Sequence, residues 1–193
     1  MAPDDPTLTT EEAANYLYQS IADLQGTIRA TDVKVGFLLV IIFSPLVAFD
    51  KVEPYLRIIF QEGLAQRCLL SAAILFWGLS LVAQFAALFA ISSPAKRVRG
   101  GNPVGTFYSE DLFDLGLVDV MINRARNSKR TIEEELVRLP KARESLIKEL
   151  VFEKMKLAYI RSVKLKRLNW AVILMGIGMI SFAVSYAVHI AGA

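Results

Sequence analysis

The apolar positions of this chain form first a stripe and then solid blocks. Leu17, Ile21, Leu24, Ile28 and Val35 are spaced by four, three, four and seven residues, which places them on one face of a helix. Thr9 and Glu12 ahead of the stripe fit a capping box, so the helix is predicted to start there. The stripe runs into the uncharged block Val35–Phe49, and the two are read as one helix that leaves water and enters lipid. At 15 residues the block is short for a hydrocarbon core that takes roughly 20. It spans only with Asp32 and Lys34 in the headgroup zone, Lys34 snorkelling toward water. Pro45 lacks an amide and clashes with the carbonyl of Ile41, which predicts a kink.

Two further blocks, Cys68–Ser93 and Leu168–Ala193, hold no Asp, Glu, Lys or Arg and are long enough to span outright. Between the first and second blocks, Asp50-Lys-Val-Glu-Pro54 is expected to break the helix. Tyr55–Leu64 is then a short amphipathic stretch suited to the membrane interface. In the second block Ala83 and Ala87, then Ala86 and Ala90, are four apart, the spacing of close helix approach in lipid. Ser92-Ser-Pro94 is expected to end that span, and Lys96-Arg-Val-Arg-Gly-Gly-Asn-Pro103 reads as a basic, turn-rich loop. Helix starts are predicted at Ser109-Glu-Asp111 and at Thr131-Ile-Glu-Glu-Glu135, the second with an interruption at Pro140. From Lys141 to Met175 there is neither Gly nor Pro, which predicts one helix from Lys141 through the last span to about Ile190, ~75 Å long.

The fold class is therefore an all-α membrane protein with three transmembrane helices, the first and third continuing into a cytosolic helical domain. The expected organisation is an N-terminal amphipathic helix over 1–34, a transmembrane hairpin over 35–93, a cytosolic helical domain over 94–167 and a third span over 168–193. The hairpin comprises spans 35–49 and 68–93 around an outer loop 50–67.

Composition agrees with a membrane class, since 54% of the 193 residues are hydrophobic. Charge sets the expected topology. Residues 94–167 carry seventeen bases and ten acids, residues 1–34 carry two bases and six acids, and 50–67 carry three of each. Lys96, Arg97 and Arg99 abut the second span while Lys164, Lys166 and Arg167 abut the third, which predicts that 94–167 and the N-terminus lie in the cytosol. The acidic N-terminus lacks the apolar stretch of a secretory leader, so it is expected to be retained.

Candidate chemistry is sparse. The one cysteine, Cys68, has no disulfide partner, and the one histidine, His189, sits at the far end of the last span. No metal-ligand spacing, phosphate loop or nucleophile elbow occurs, so an enzyme is not expected and no cofactor is implied. Lys96, Arg97 and Arg99 followed by two glycines could contact a phosphate or nucleotide, and they equally suit cytosolic anchoring of a span. Ten acids interleaved with seventeen bases argue against a nucleic-acid partner. Ser44, Ser80, Gln84, Ser181 and Ser185 are candidate polar groups inside the spans. They either pack helix against helix or line a pore, which three spans enclose only as a homo-oligomer.

Ala30-Thr-Asp32-Val-Lys34 running straight into an apolar span resembles the approach to the membrane in the transmembrane effector family of bacterial Pycsar antiphage systems. Ser93-Pro94 followed by the bases to Arg99, the Phe107-Tyr-Ser-Glu-Asp111 helix start and the long helix feeding the last span are similar. Where that family has alanine after the lysine, this chain has Val35, and no β-rich segment is present to form the cyclic-nucleotide-binding domain joined to such effectors. The resemblance implies an antiphage membrane effector that oligomerises among membrane lipids and impairs the inner membrane. Asp32 and Lys34 are its motif residues; the resemblance does not extend to the trigger, for which a ligand such as a cyclic nucleotide on the helical domain and a separate sensor protein both stay open. Two other readings are a membrane scaffold for a soluble defence partner and a CRISPR-associated small membrane pore protein.

Overall fold

In a computed structural model, the structure describes residues 9–91, 94–100, 112 and 128–192. These are helical, with no strand among the described residues. Helix α1 spans Thr10–Val47, α2 Phe49–Gln61, α3 Leu64–Leu88, α4 Ile132–Arg138 and α5 Arg143–Gly192, with a 3-10 turn at Pro94–Arg97. α1, α3 and α5 are each long and apolar enough to cross a membrane. The helix start expected at Ser109–Asp111 lies outside the described residues.

Both capping boxes form. The Thr9 amide donates to the Glu12 carboxylate at 2.8 Å, and the Glu12 amide donates back to the Thr9 hydroxyl oxygen at 3.3 Å. The Thr9 hydroxyl also donates to that carboxylate, and this bond is the main cause that holds the Glu12 carboxyl below its ordinary value. At α4, Thr131 and Glu134 make the same reciprocal pair. α5 is the continuous helix that its Gly- and Pro-free sequence predicts, starting two residues later than expected, at Arg143. α1 likewise runs unbroken from water-type sequence into apolar sequence. Leu17, Thr31, Val35 and Ile42 are buried, and Ile21, Leu24, Ile28 and Leu38 are half-buried between them.

Pro45 lies inside α1, two residues from its end, and the Ile41 carbonyl it strands accepts the Ser44 hydroxyl at 2.7 Å. Two expectations are corrected. Asp50–Pro54 does not break the helix. The chain leaves helical order at Ala48, whose carbonyl accepts from Lys51 and Val52 to start α2, and Pro54 sits inside that helix. The proline strands one carbonyl, that of Asp50, which an otherwise intact turn tolerates. The second span helix begins at Leu64 and ends at Leu88, shifted toward the N-terminus from 68–93. Its start is fixed by Gly63, whose φ of 154° and ψ of 174° are open to glycine alone.

The chain divides into two compact units, one of residues 1–25 with 93–159 and one of 26–92 with 160–193. In the first, Leu17, Leu150, Phe152 and Leu157 are buried, and the Lys154 ammonium lies 5.0 Å from the centre of the Tyr16 ring. Glu149 and Lys156 are also buried there, and Lys156 pairs with Glu153 at 2.5 Å.

In the second unit the three long helices form a bundle, joined at one end by α2. α3 runs antiparallel to α5, in a register that advances by seven residues on each helix. Gln66 meets Ser185, the backbone of Ala73 meets Gly178, and Ser80 meets Ala171. All six are buried. A seven-residue repeat of this kind is the seam of a supercoiled pair, here built from small and polar residues rather than leucines. On the α1 side, Val35 and Ala87 pack with Leu168, the Trp77 indole donates to the Ile42 carbonyl at 3.0 Å, and Phe43 meets Phe85 edge-on. Of the alanines singled out for close approach, only Ala87 is buried and Ala90 lies beyond the helix.

Gly178 tests the seam. A Cβ there would sit 3.3 Å from the Ala73 carbonyl oxygen and 3.4 Å from the Trp77 nitrogen, whereas one at Gly176 meets open space. Gly178→Ala gains about 1 kcal/mol of helix propensity and loses a similar amount to crowding. It is expected to be near neutral. Gly178→Leu is expected to destabilise by about 3 kcal/mol and Gly176→Leu by much less, read as thermal unfolding of the detergent-solubilised protein.

Candidate functional site

The polar residues of the spans collect at two levels of the bundle and inside its seam. At the level where α1 and α5 become apolar, the Lys164 ammonium donates to the Asp32 carboxylate at 2.5 Å. Lys164 is buried, its side chain 9% exposed, while that of Asp32 is 38% exposed. One turn on, Arg167 donates to the Ala86 carbonyl at 2.6 Å. That carbonyl belongs to the last turn of α3, where helical donors run out and a cation suits the negative helix end. Asp32 thus has a partner the sequence did not reveal, 132 residues away. Lys34 is exposed and has no acid partner among the described residues.

At the other level the loop between α2 and α3 is tied to the end of α5. Gln66 and Ser185 bond reciprocally, the Gln66 amide to the Ser185 carbonyl at 3.1 Å and the Ser185 hydroxyl to the Gln66 side-chain oxygen at 2.8 Å. His189 pairs with Glu62 through Nδ1. Arg67 donates to the Phe60 carbonyl at 2.9 Å and stacks over the Phe60 ring, closing the end of α2. His189 therefore serves a helix junction. The exposed Cys68 thiol stands nearby in sequence with no disulfide.

Within the seam, the Ser80 hydroxyl donates to the Ala171 carbonyl at 2.8 Å, and Gln84 donates weakly to the Ser80 oxygen at 3.4 Å. Both side chains are fully buried, and the Gln84 Oε1 has no hydrogen-bond partner among the described residues. Ser44 bonds its own helix, and Ser181 is half-buried. Ser80, Gln84 and Ser185 are thus held between helices of one chain. Gln66, which sequence reasoning passed over, belongs with them. Its signal was the seven-residue spacing Gln66, Ala73, Ser80, Ala87.

The basic loop lies in the other unit. Pro94 and Ala95 are buried, and Lys96, Arg97 and Arg99 are exposed around a 3-10 turn closed by the Val98 amide on the Ala95 carbonyl. Gly100 has a φ of 111°, a left-handed conformation suited to glycine. Gly101–Pro103, the rest of the expected phosphate loop, lies outside the described residues. Among the described residues no three His, Cys, Asp or Glu side chains converge as metal ligands would.

The Asp32–Lys164 pair joins α1 to α5 through charge. An exposed pair contributes roughly 0.5 kcal/mol, and breaking a fully buried one costs roughly 3–5 kcal/mol. Asp32→Asn strands a buried ammonium beside a partly solvated partner, so a loss of about 2 kcal/mol is expected. Lys164→Met should lose less than Asp32→Asn, and combining the two should recover part of the loss, measured as a double-mutant cycle on thermal unfolding.

The chain matches no protein-family model, no curated protein and no solved structure.

Proposed function

We propose that the chain is an integral membrane effector of bacterial antiphage immunity, non-enzymatic, which impairs the inner membrane when a nucleotide or a partner protein engages its cytosolic part. The observation that carries this reading is the continuity of α1 and α5, each a single helix with residues in both compact units. A helix that is lipid-spanning at one end and water-exposed at the other converts a change in either solvent into a tilt or rotation in the other. The trigger would shift a resting population toward a membrane-damaging one, to the extent that it binds the second more tightly. Exposed Lys96, Arg97 and Arg99 supply a cationic surface suited to a phosphate-bearing trigger. The likeness of Ala30–Lys34 to the Pycsar effector motif supports the same reading.

One observation favours a second reading, a membrane scaffold anchoring a soluble defence partner. Ser80 and Ser185 make their hydrogen bonds between helices of one chain, as a plain anchor requires. A pore assembled from several copies would draw its lining from faces such as those of Ser44 and Ser181 instead.

Dye release from proteoliposomes, with a panel of 3′,5′-cyclic mononucleotides, separates the two, together with propidium uptake by expressing cells during phage infection. The effector reading expects leakage in at least one condition and its loss in the triple Lys96→Ala, Arg97→Ala, Arg99→Ala variant. Intact barriers throughout overturn it.

The charge distribution supports a topology with 94–167 in the cytosol and α2 outside. In a Cys68→Ser background, Asp50→Cys should react with a membrane-impermeant maleimide in intact cells, and Lys141→Cys only after lysis. The reverse pattern inverts the topology.

A further inference from the structure

A groove of about 580 Å³ runs between α1 and α5 on the outside of the membrane bundle. The two helices are parallel there, since Asp32 pairs with Lys164 and, three to four residues further along each, Val35 packs with Leu168. The groove is therefore polar at one end and apolar along the rest. Lys34 and Asn169 stand at the end where the spans begin, while Phe37, Leu38, Val172 and Ile173 line it one turn deeper.

We infer that this groove is a binding site for one anionic phospholipid, its phosphate on Lys34 and Asn169 and its first methylenes on the Phe37, Leu38, Val172 and Ile173 walls. Four facts carry the assignment. Lys34 has no acid partner among the described residues, although its neighbour Asp32 is already paired with Lys164. A cation at the boundary of a span reaches for the headgroup layer, and basic pockets between spanning helices on the cytosolic side select acidic headgroups. Lys166 lies three residues before Asn169, on the same face of α5, and is exposed and likewise without an acid partner among the described residues. Trp170, 63% exposed beside Asn169, marks that level as an interface, where indole rings concentrate. A zwitterionic lipid would fit the walls equally well but would bring its own cation to Lys34.

The inference rests on the membrane placement of α1 and α5, not on effector or scaffold action. It is tested by native mass spectrometry of the detergent-purified full chain, offered equal amounts of phosphatidylglycerol and phosphatidylcholine with matched acyl chains. The wild type should retain one phosphatidylglycerol in preference. Lys34→Ala and Lys166→Ala should each cut that preference about fivefold, the effect of one lysine near an anionic headgroup. Val172→Trp should abolish retention by filling the groove with the lysines intact, and Lys96→Ala should leave it unchanged. Helical content by circular dichroism confirms that each variant is folded. Equal retention of the two lipids overturns the site and leaves the membrane placement standing, as does a groove occupied by a second copy of the chain instead of lipid. A chain that stays dispersed in water without detergent overturns the placement and the site together.

Discussion

The membrane bundle depends on the close approach of α3 and α5. Between two helices in lipid there is little hydrophobic gain from association, because acyl chains are as apolar as the side chains they would replace. What holds such a pair is van der Waals contact at short range and hydrogen bonds across the seam. Both need small residues at the contact, and Ala73, Ala171 and Gly178 supply them. Gly178 brings its helix to where even a methyl group would press on the Ala73 carbonyl. Only at that spacing can the short Ser80 hydroxyl reach the backbone of Ala171. The third helix then seats α1 through Val35 against Ala87 and Leu168.

The polar contacts at the two levels of the bundle fix its depth and register. A one-residue slip of α3 on α5 would cost the Ser80 bond and both Gln66–Ser185 bonds together. At the level of Asp32 the ion pair and the Arg167–Ala86 bond satisfy a buried ammonium and a spent helix end within the same turn of α5. At the opposite level, Arg67 closes the junction of α2 and α3 and His189 ties it to the end of α5. Charged contacts thus sit at the bundle ends and uncharged ones inside, which is the arrangement hydrocarbon enforces on any polar group it surrounds.

The sequence showed the long-period features and missed the short-range exchanges. The α1 stripe and the uninterrupted α5 were legible because each depends on a regular spacing or on the absence of Gly and Pro. The capping boxes of Thr9 and Thr131 were legible because their partners lie three residues away. The seam was not. Its positions are Gln, Ala, Ser and Gly, which leave no trace on an apolar periodicity, and close approach was sought at four-residue rather than seven-residue intervals. The partner of Asp32 was hidden by 132 residues of chain. The break at Asp50–Pro54 was misplaced because a proline rule is local. The chain had already left helical order at Ala48, three residues past Pro45, so Pro54 fell within a new helix.

Gln84 shows how this packing bears on function. Its amide oxygen is buried without a partner among the described residues, and its single bond, to Ser80, is long. Leaving a buried acceptor unmet costs roughly 1–3 kcal/mol, so a methionine of similar shape would serve a plain membrane anchor better. A bundle meant only to hold a partner at the bilayer gains nothing from this group. A bundle that rearranges does gain, because a polar atom unsatisfied in one packing lowers the cost of reaching another in which a second chain or water satisfies it. The strain is placed one turn from Ala87, where α1, α3 and α5 meet. On the proposed effector reading, this buried amide beside the junction of the three helices is the group that a rearranged bundle would satisfy.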